Sequence, residues 1–382
     1  MKLAILGSRG FPSTYGGYET LVRHLSRGLV QDGHEVTVYC RTRFHGQREW
    51  IVEGVRCIWT PGRDTSSAST LSFGFTSHLH AAARGFDAAL VLNVANGYYL
   101  PLLAKRGIPT VLNTDGVEWE RGKWGPVARA VFYRGAQLSA RYADVLVSDS
   151  RAIGDIWQEE FEVRPRFIPY GASLDVGESD ARVRALGFRS RTYALAVARL
   201  IPENNVALTL DALELTSQHH PAIVVGSANY TSPLETRLRN LDHEGRLRWL
   251  GHVSDQELLA QLWANCGVYV HGHSVGGTNP ALLQALGAGA PTLALDTPFN
   301  REVIAREEQL FPHDSGQLAV RIDQVLGDNA LQRCWAKCGR ETVAARYTWQ
   351  SVCDDYLDAL RHAIVIVAAR RPRLPATRRP LV

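Results

Sequence analysis

Short apolar runs alternate with segments of helical period along almost the whole chain, and the series runs twice. Lys2–Leu6, Glu35–Cys40, Ala88–Leu92, Thr110–Asn113 and Val145–Ser148 read as strands, and Arg166–Pro169 closes the first series. Leu21, Val22, Leu25 and Leu29 fall on one face of a helix that Gly33 ends. After the connector Tyr170-Gly171-Ala172, Tyr193–Ala198 opens a second series, followed by Ile223–Val225, Arg248–Leu250, Gly267–His271 and Pro291–Leu295. Strands separated by helices pair in parallel and are covered on both faces. The pattern therefore predicts an α/β chain with two open sheets in tandem, over residues 1–171 and 172–348. A C-terminal helix of about residues 349–369 is free to pack back on the first unit. The tail 370–382 holds Arg370, Arg371, Arg373, Arg378 and Arg379 with prolines and no acid, and reads as disordered.

A length of 382 residues fits two domains, and 45% hydrophobic with 21% charged residues is an ordinary globular balance. The net charge of +4 argues against a dedicated nucleic-acid binder and permits attraction to phosphate-bearing ligands or anionic lipid. The cysteines, at 40, 57, 266, 334, 338 and 353, show no paired spacing that completes a zinc site. They read as reduced packing thiols of a cytoplasmic protein. The opening run Met1–Leu6 is too short for a signal peptide, and no apolar run is long enough to span a bilayer.

Ligands of open α/β sheets bind outside the carboxyl ends of the strands. Two such sheets facing each other would put a site in the cleft between them. Four segments follow strand ends. The first, Gly7-Ser8-Arg9-Gly10-Phe11-Pro12-Ser13-Thr14-Tyr15-Gly16-Gly17-Tyr18-Glu19, is a glycine-rich loop before a helix, where backbone N–H groups can approach an anion. It lacks G-x-G-x-x-G, and the next strand ends at Cys40-Arg41 with no acid, which speaks against a dinucleotide site. The second carries Arg199 before Pro202-Glu203-Asn204-Asn205, suited to a diphosphate. In the third, His271-Gly272-His273-Ser274-Val275-Gly276-Gly277-Thr278-Asn279-Pro280, Asn279 is placed to cap a helix and Pro280 to begin it. That makes an anion cradle of free N–H groups, a helix dipole and the Thr278 hydroxyl. No third ligand accompanies His271 and His273, so no metal is expected. The fourth, Asn113-Thr114-Asp115-Gly116-Val117-Glu118-Trp119-Glu120-Arg121, brings carboxylates that could orient or deprotonate a hydroxyl, or else cap a helix and face solvent. No Asp-x-Asp metal signature occurs.

These segments resemble glycosyltransferases of family 4, which have the two-domain GT-B fold, two Rossmann-like domains facing across a cleft. The resemblance covers about residues 1–360. Arg9-Gly10-Phe11-Pro12, Tyr15-Gly16-Gly17-Tyr18-Glu19-Thr20, Asp115-Gly116-Val117-Glu118-Trp119, Pro202-Glu203-Asn204-Asn205 and the His271–Pro280 segment look like a branch often described as rhamnosyltransferases. The resemblance implies a donor site of Gly16, Gly17, Arg199, Asn204, Gly277, Thr278, Asn279 and Gln284. It implies Tyr18, Glu19, Asp115 and Trp119 on the acceptor side, with Asp115, Glu118 and Arg199 as catalytic candidates. Such enzymes are typically retaining and need no metal or other cofactor, only the nucleotide diphosphate sugar. Three positions depart from the general family: Asn204 replaces a lysine, while Gly276 and Gln284 replace two glutamates. The first two are usual for the branch, but Gln284 is not, and a neutral amide is a weaker acceptor for ribose hydroxyls than a carboxylate.

The resulting expectation is a hexosyltransferase that moves rhamnose or another deoxyhexose or hexose to a glycan or lipid-linked acceptor of the bacterial cell surface. Rival readings are a weakened donor-binding or scaffold subunit, a nucleotide-sugar epimerase of the same architecture, or an NAD-dependent oxidoreductase. A lipid-linked acceptor would bring the cytoplasmic enzyme to the inner face of the plasma membrane. Trp119, Trp124, Phe132 and Tyr133, with Arg121, Lys123, Arg129 and Arg134, mix aromatic and basic residues suited to anionic lipid, or else the aromatics are core and the basic residues solvated.

Overall fold

The computed structural model describes residues 1–12, 17–63, 69–120, 124–175, 179–217, 219–228, 232–304 and 306–370. Gly16, Arg121, Lys123 and the tail beyond Arg370 lie outside the described residues.

The first sheet is built from β1 (Lys2–Leu6), β2 (Glu35–Cys40), β3 (Glu49–Val52), β4 (Val55–Trp59), β5 (Ala88–Leu92), β6 (Thr110–Asn113), β7 (Val145–Ser148) and β8 (Arg166–Phe167). Its order is β3-β4-β2-β1-β5-β6-β7-β8. All neighbours are parallel except β3 and β4. The second sheet contains β9 (Ala194–Val197), β10 (Ala222–Val225), β11 (Arg248–Trp249), β12 (Val268–His271), β13 (Thr292–Leu295) and β14 (Leu310–Phe311). Its order is β11-β10-β9-β12-β13-β14, parallel throughout.

Burial on both faces explains the unbroken apolar runs. Along β1, Leu3 and Ile5 join the core beneath the helix Gly17–Gln31, while Ala4 and Leu6 join the core on the opposite face. In the second sheet, Val268 and Val270 face one core and Tyr269 the other.

The hairpin of β3 and β4 went unread in the sequence because charged residues interrupt its alternation. Val52 pairs with Val55 across a two-residue turn in which Glu53 (φ 53) and Gly54 (φ 77) are both left-handed. That is the type I′ geometry favoured by strand twist.

The last helix, Trp349–Arg370, returns to the first sheet. Trp349 stacks on His24 with ring centroids 4.1 Å apart. Arg166 reaches Asp355 at 3.1 Å and Asp358 at 2.5 Å, and Arg370 reaches Asp144 at 2.7 Å. These partly exposed pairs contribute about 0–1 kcal/mol each. Burial of Val352, Tyr356, Leu357 and Leu360 dominates, at roughly 1.5–3 kcal/mol for each large apolar side chain.

Candidate active site

A cleft of about 390 Å³ opens between the carboxyl ends of the two sheets. Thr20, Asp115, Asp149 and Tyr170 line it from the first, and Arg199, His273, Gly276, Gly277, Asn279 and Gln284 from the second.

On the first side, Asn113 at the end of β6 organises the turn. Its Oδ1 accepts the Asp115 N–H at 2.9 Å and the Tyr18 hydroxyl at 3.4 Å, while its Nδ2 donates to the Tyr356 hydroxyl at 2.6 Å. Asp115 adopts φ 60, a left-handed conformation that Asp and Asn tolerate better than most residues. The Tyr18 and Tyr170 phenols are pushed well above the usual tyrosine range. Burial is the main cause, followed by Asp115 for Tyr18 and Asp149 for Tyr170. Both phenols therefore stay neutral, as hydrogen-bonding rather than proton-abstracting groups.

On the second side, Arg199 is exposed to the cleft and has no ion-pair partner among the described residues. Asn204 is buried, and its Nδ2 donates to the Arg199 carbonyl at 2.9 Å. Asn205 Nδ2 donates to Gly272 O at 2.8 Å and Ser274 N–H to Glu203 O at 2.9 Å, so the loops after β9 and β12 are stitched together. Asn279 caps the helix Pro280–Gly287 by accepting the Ala281 N–H at 3.0 Å, and Pro280 takes its first position. The N-terminus of that helix and the side chain of Gln284 both reach the cleft.

The two halves touch beside this helix start. Thr278 is buried, and its hydroxyl donates to the Asp149 carbonyl. A Cβ on Gly277 would collide with the Asp149 carboxylate. A second bridge lies at Glu302, which accepts the Ser150 hydroxyl at 2.9 Å and the Arg151 N–H at 2.9 Å, at the start of the helix Arg151–Phe161. A carboxylate there complements the helix dipole.

Several expected site residues take other places. Glu118 is buried and accepts the Trp124 indole N–H at 2.9 Å, away from the cleft lining. Trp119 is buried too, packed edge-on against Phe161, Tyr133 and Trp157 at 5.7, 5.9 and 6.1 Å. A short turn, Glu118–Glu120, carries both toward the helix Pro126–Tyr142 rather than the cleft. Trp124 and Phe132 pack together at 5.2 Å, and Phe132 and Tyr133 lie against the same core. Of these aromatics Trp119 is buried, while Trp124, Phe132 and Tyr133 are half-buried and Arg129 and Arg134 exposed. Glu19 is buried in the first turn of its helix and accepts the Arg9 N–H at 3.3 Å. Thr278 donates its hydroxyl hydrogen to the Asp149 carbonyl and Asn204 one amide hydrogen to the Arg199 carbonyl, and both still line the cleft. Gly17 begins the helix Gly17–Gln31.

Asp149 was missed. It follows β7 directly, and the same strand-end rule that marks Asp115 and Arg199 would have found it. Among the described residues no three His, Cys, Asp or Glu side chains converge as a metal set. No described helix is long and apolar enough to cross a membrane.

A family model described as "Glycosyl transferase 4-like domain" matches residues 16–171, and one described as "Glycosyl transferases group 1" matches residues 181–342. The MMP alpha-(1->4)-mannosyltransferase of Mycolicibacterium hassiacum is 25% identical, over 97% of this chain and 100% of its own. The GtfA subunit of the UDP-N-acetylglucosamine--peptide N-acetylglucosaminyltransferase of Streptococcus pneumoniae is 21% identical over 51% of this chain, and the match spans only 39% of that subunit. Sucrose-phosphate synthase from Thermosynechococcus elongatus superposes with a TM-score of 0.78 at 19% identity, covering 95% of this chain and 99% of that one. Anabaena HepE in complex with UDP-glucose gives 0.74 at 17% identity, covering 94% and 99%. Fold and family matches together define a glycosyltransferase of the GT-B type. Within that class the chain is family 4-like.

Proposed function

We propose that the cleft binds a nucleotide diphosphate sugar and passes its hexosyl group to a glycan or lipid-linked acceptor in bacterial cell-surface polysaccharide synthesis. The observation that carries this reading is one arrangement: Arg199, exposed and without an ion-pair partner among the described residues, shares the cleft with the N-terminus of the helix Pro280–Gly287. A guanidinium and a helix N-terminus on one wall suit a diphosphate. Asp115, on the opposite wall, is the carboxylate this reading assigns to an acceptor hydroxyl. Rhamnose or another deoxyhexose is the favoured donor sugar, on the strength of the sequence segments described above. Similarity to a mannosyltransferase and to a fold that holds UDP-glucose keeps mannose and glucose in the test. The reaction is read as retaining and metal-independent, with positive groups stabilising the departing phosphate.

Incubating the protein with a panel of nucleotide sugars tests the reading. Transfer to an acceptor, or slow donor hydrolysis, supports it; interconversion of donors would mean an epimerase. Gln284 in the cleft lining favours one second reading, a donor-binding subunit with weakened turnover. Binding without transfer or hydrolysis across the panel would select it. Approach to the inner membrane face through a lipid-linked acceptor belongs to the same proposal. Co-sedimentation with anionic vesicles that equals that with neutral vesicles would remove it.

A further inference from the structure

The cleft contains an imidazole that the donor reading leaves unused. β12 ends at His271, and the chain continues through Gly272 to His273. The two rings stack, with centroids 4.2 Å apart and planes 9° from parallel. His271 is wholly buried, and its Nδ1 lies 3.0 Å from the Tyr269 hydroxyl. His273 lines the cleft together with Arg199, and its Nδ1 is buried with no hydrogen-bond partner among the described residues. The His273 carbonyl accepts Asn300 Nδ2 at 3.0 Å, which holds the residue in place.

We propose that His273 binds the donor diphosphate alongside Arg199 and takes up a proton from solvent as the ligand enters. The cleft then offers two positive charges when occupied and one when empty. This rests on the reading of the cleft as a nucleotide diphosphate sugar site.

Asn204 stands where the resembled family carries a lysine, and here it is buried, neutral and bonded to the Arg199 carbonyl. Asn204 therefore brings no charge to the cleft beside Arg199. The titratable and charged groups around His273 are Arg199 and Glu203 after β9, Tyr269 and His271 on β12, His252 after β11, and Asp115 and Asp149 from the first sheet. In the empty cleft, burial first and the Arg199 charge second hold the His273 imidazole down to about 3. A diphosphate diester brings two negative charges, which outweigh the single arginine and favour the charged imidazole. His271 cannot take this role: burial, and then His273, push it well below the usual histidine range. Two stacked rings also resist carrying charge together. A protonated His273 would in addition stabilise the nucleotide diphosphate as the sugar leaves, where negative charge grows.

The sign follows from linkage. A group whose pKa rises on binding strengthens binding at low pH, and that gain is lost as pH climbs through the pKa of the complex. Titration calorimetry of the full chain with UDP-glucose, GDP-mannose and dTDP-glucose tests this, between about pH 6 and 8 and in buffers of different ionisation heat. These diesters have no phosphate proton that titrates in that window. At least one should bind with net uptake of up to one proton, and its Kd should rise by up to about tenfold per pH unit. His273→Gln should abolish both the uptake and the slope, leaving the wild-type affinity of the high-pH end. Independently of any variant, the His273 Cε1–H signal in NMR should move from its neutral to its charged position when ligand is added at neutral pH. Binding without proton uptake, uptake that survives in His273→Gln, or an unmoved signal would overturn the proposal. If none of the three donors binds, the donor reading itself fails and takes this inference with it.

Discussion

The hydroxyl of Thr278 donates to the backbone carbonyl of Asp149, and this bond joins the helix start of the second sheet to the strand end of the first. It sits beside Gly277, whose missing side chain is what lets the Asp149 carboxylate come so close. The relationship makes the width of the cleft depend on a residue with no Cβ.

Gly277→Ala should force the two halves apart at this point. Overpacking of a tight contact costs about 1–3 kcal/mol. The expected result is a lower melting temperature and a larger radius of gyration in small-angle scattering. Shortening the opposing side chain in Gly277→Ala/Asp149→Ala should recover most of both. A single variant with wild-type dimensions and melting would mean that the contact can relax without moving the halves.

Arg199→Ala should weaken nucleotide diphosphate binding. A charge-assisted hydrogen bond contributes roughly 1.5–3 kcal/mol, equivalent to an affinity loss of about tenfold to over a hundredfold. Arg199 has no ion pair among the described residues, so its removal should leave no orphaned acid and little change in stability. Unchanged affinity in a folded variant would remove Arg199 from the donor site.

Much of this arrangement can be read from the sequence, and the parts that cannot have physical reasons. β1, β2, β5, β6 and β7 stand out because a strand buried on both faces leaves a continuous apolar run bounded by polar turns. β3 and β4 do not, because Ile51 faces solvent at 68% exposure and charged Glu49 and Arg56 break the run. Strand ends point to the cleft, so Asp115, Arg199 and the His271–Pro280 segment could be found without coordinates. What a strand end does not reveal is where the loop goes next. Asp115 remains in the cleft, but three residues later the turn Glu118–Glu120 folds Glu118 and Trp119 into the core. Contacts between the halves, such as Thr278 with Asp149 and Glu302 with Ser150, join residues far apart in sequence, and no local pattern announces them.

Trp119→Ala should therefore act on stability. Removal of a large buried aromatic costs about 3–5 kcal/mol, and Trp119 also touches three other rings. Chemical denaturation should show this loss with the slope unchanged, while nucleotide affinity of the folded fraction stays at the wild-type value. A stable variant that has lost only acceptor affinity would restore Trp119 to the acceptor side.

Gln284→Glu should preserve or strengthen donor binding. Gln284 reaches the cleft from the helix Pro280–Gly287, where a carboxylate would accept ribose hydroxyls more strongly than the amide does. Calorimetry with the nucleotide diphosphate that binds the wild type decides the matter. A large loss of affinity in a folded Gln284→Glu would show that the site is built around the amide N–H groups instead.

Asp115 faces Arg199 and the Pro280–Gly287 helix start across the cleft, so it should serve the acceptor rather than the donor. Asp115→Asn is the informative change. Asparagine tolerates the left-handed backbone at φ 60 and can keep the N–H bond to Asn113, so the turn should survive. What is lost is a carboxylate able to orient or accept the proton of an acceptor hydroxyl, a role that typically contributes about 10²–10⁴ in rate. The expected outcome is a fall in kcat of that order with nucleotide affinity within a few-fold of wild type. Loss of the negative charge beside Tyr18 should also lower that phenol's pKa toward its ordinary value, though burial, the larger cause, remains. Equal losses in transfer and in nucleotide binding would instead assign Asp115 to the donor or to the structure of the turn.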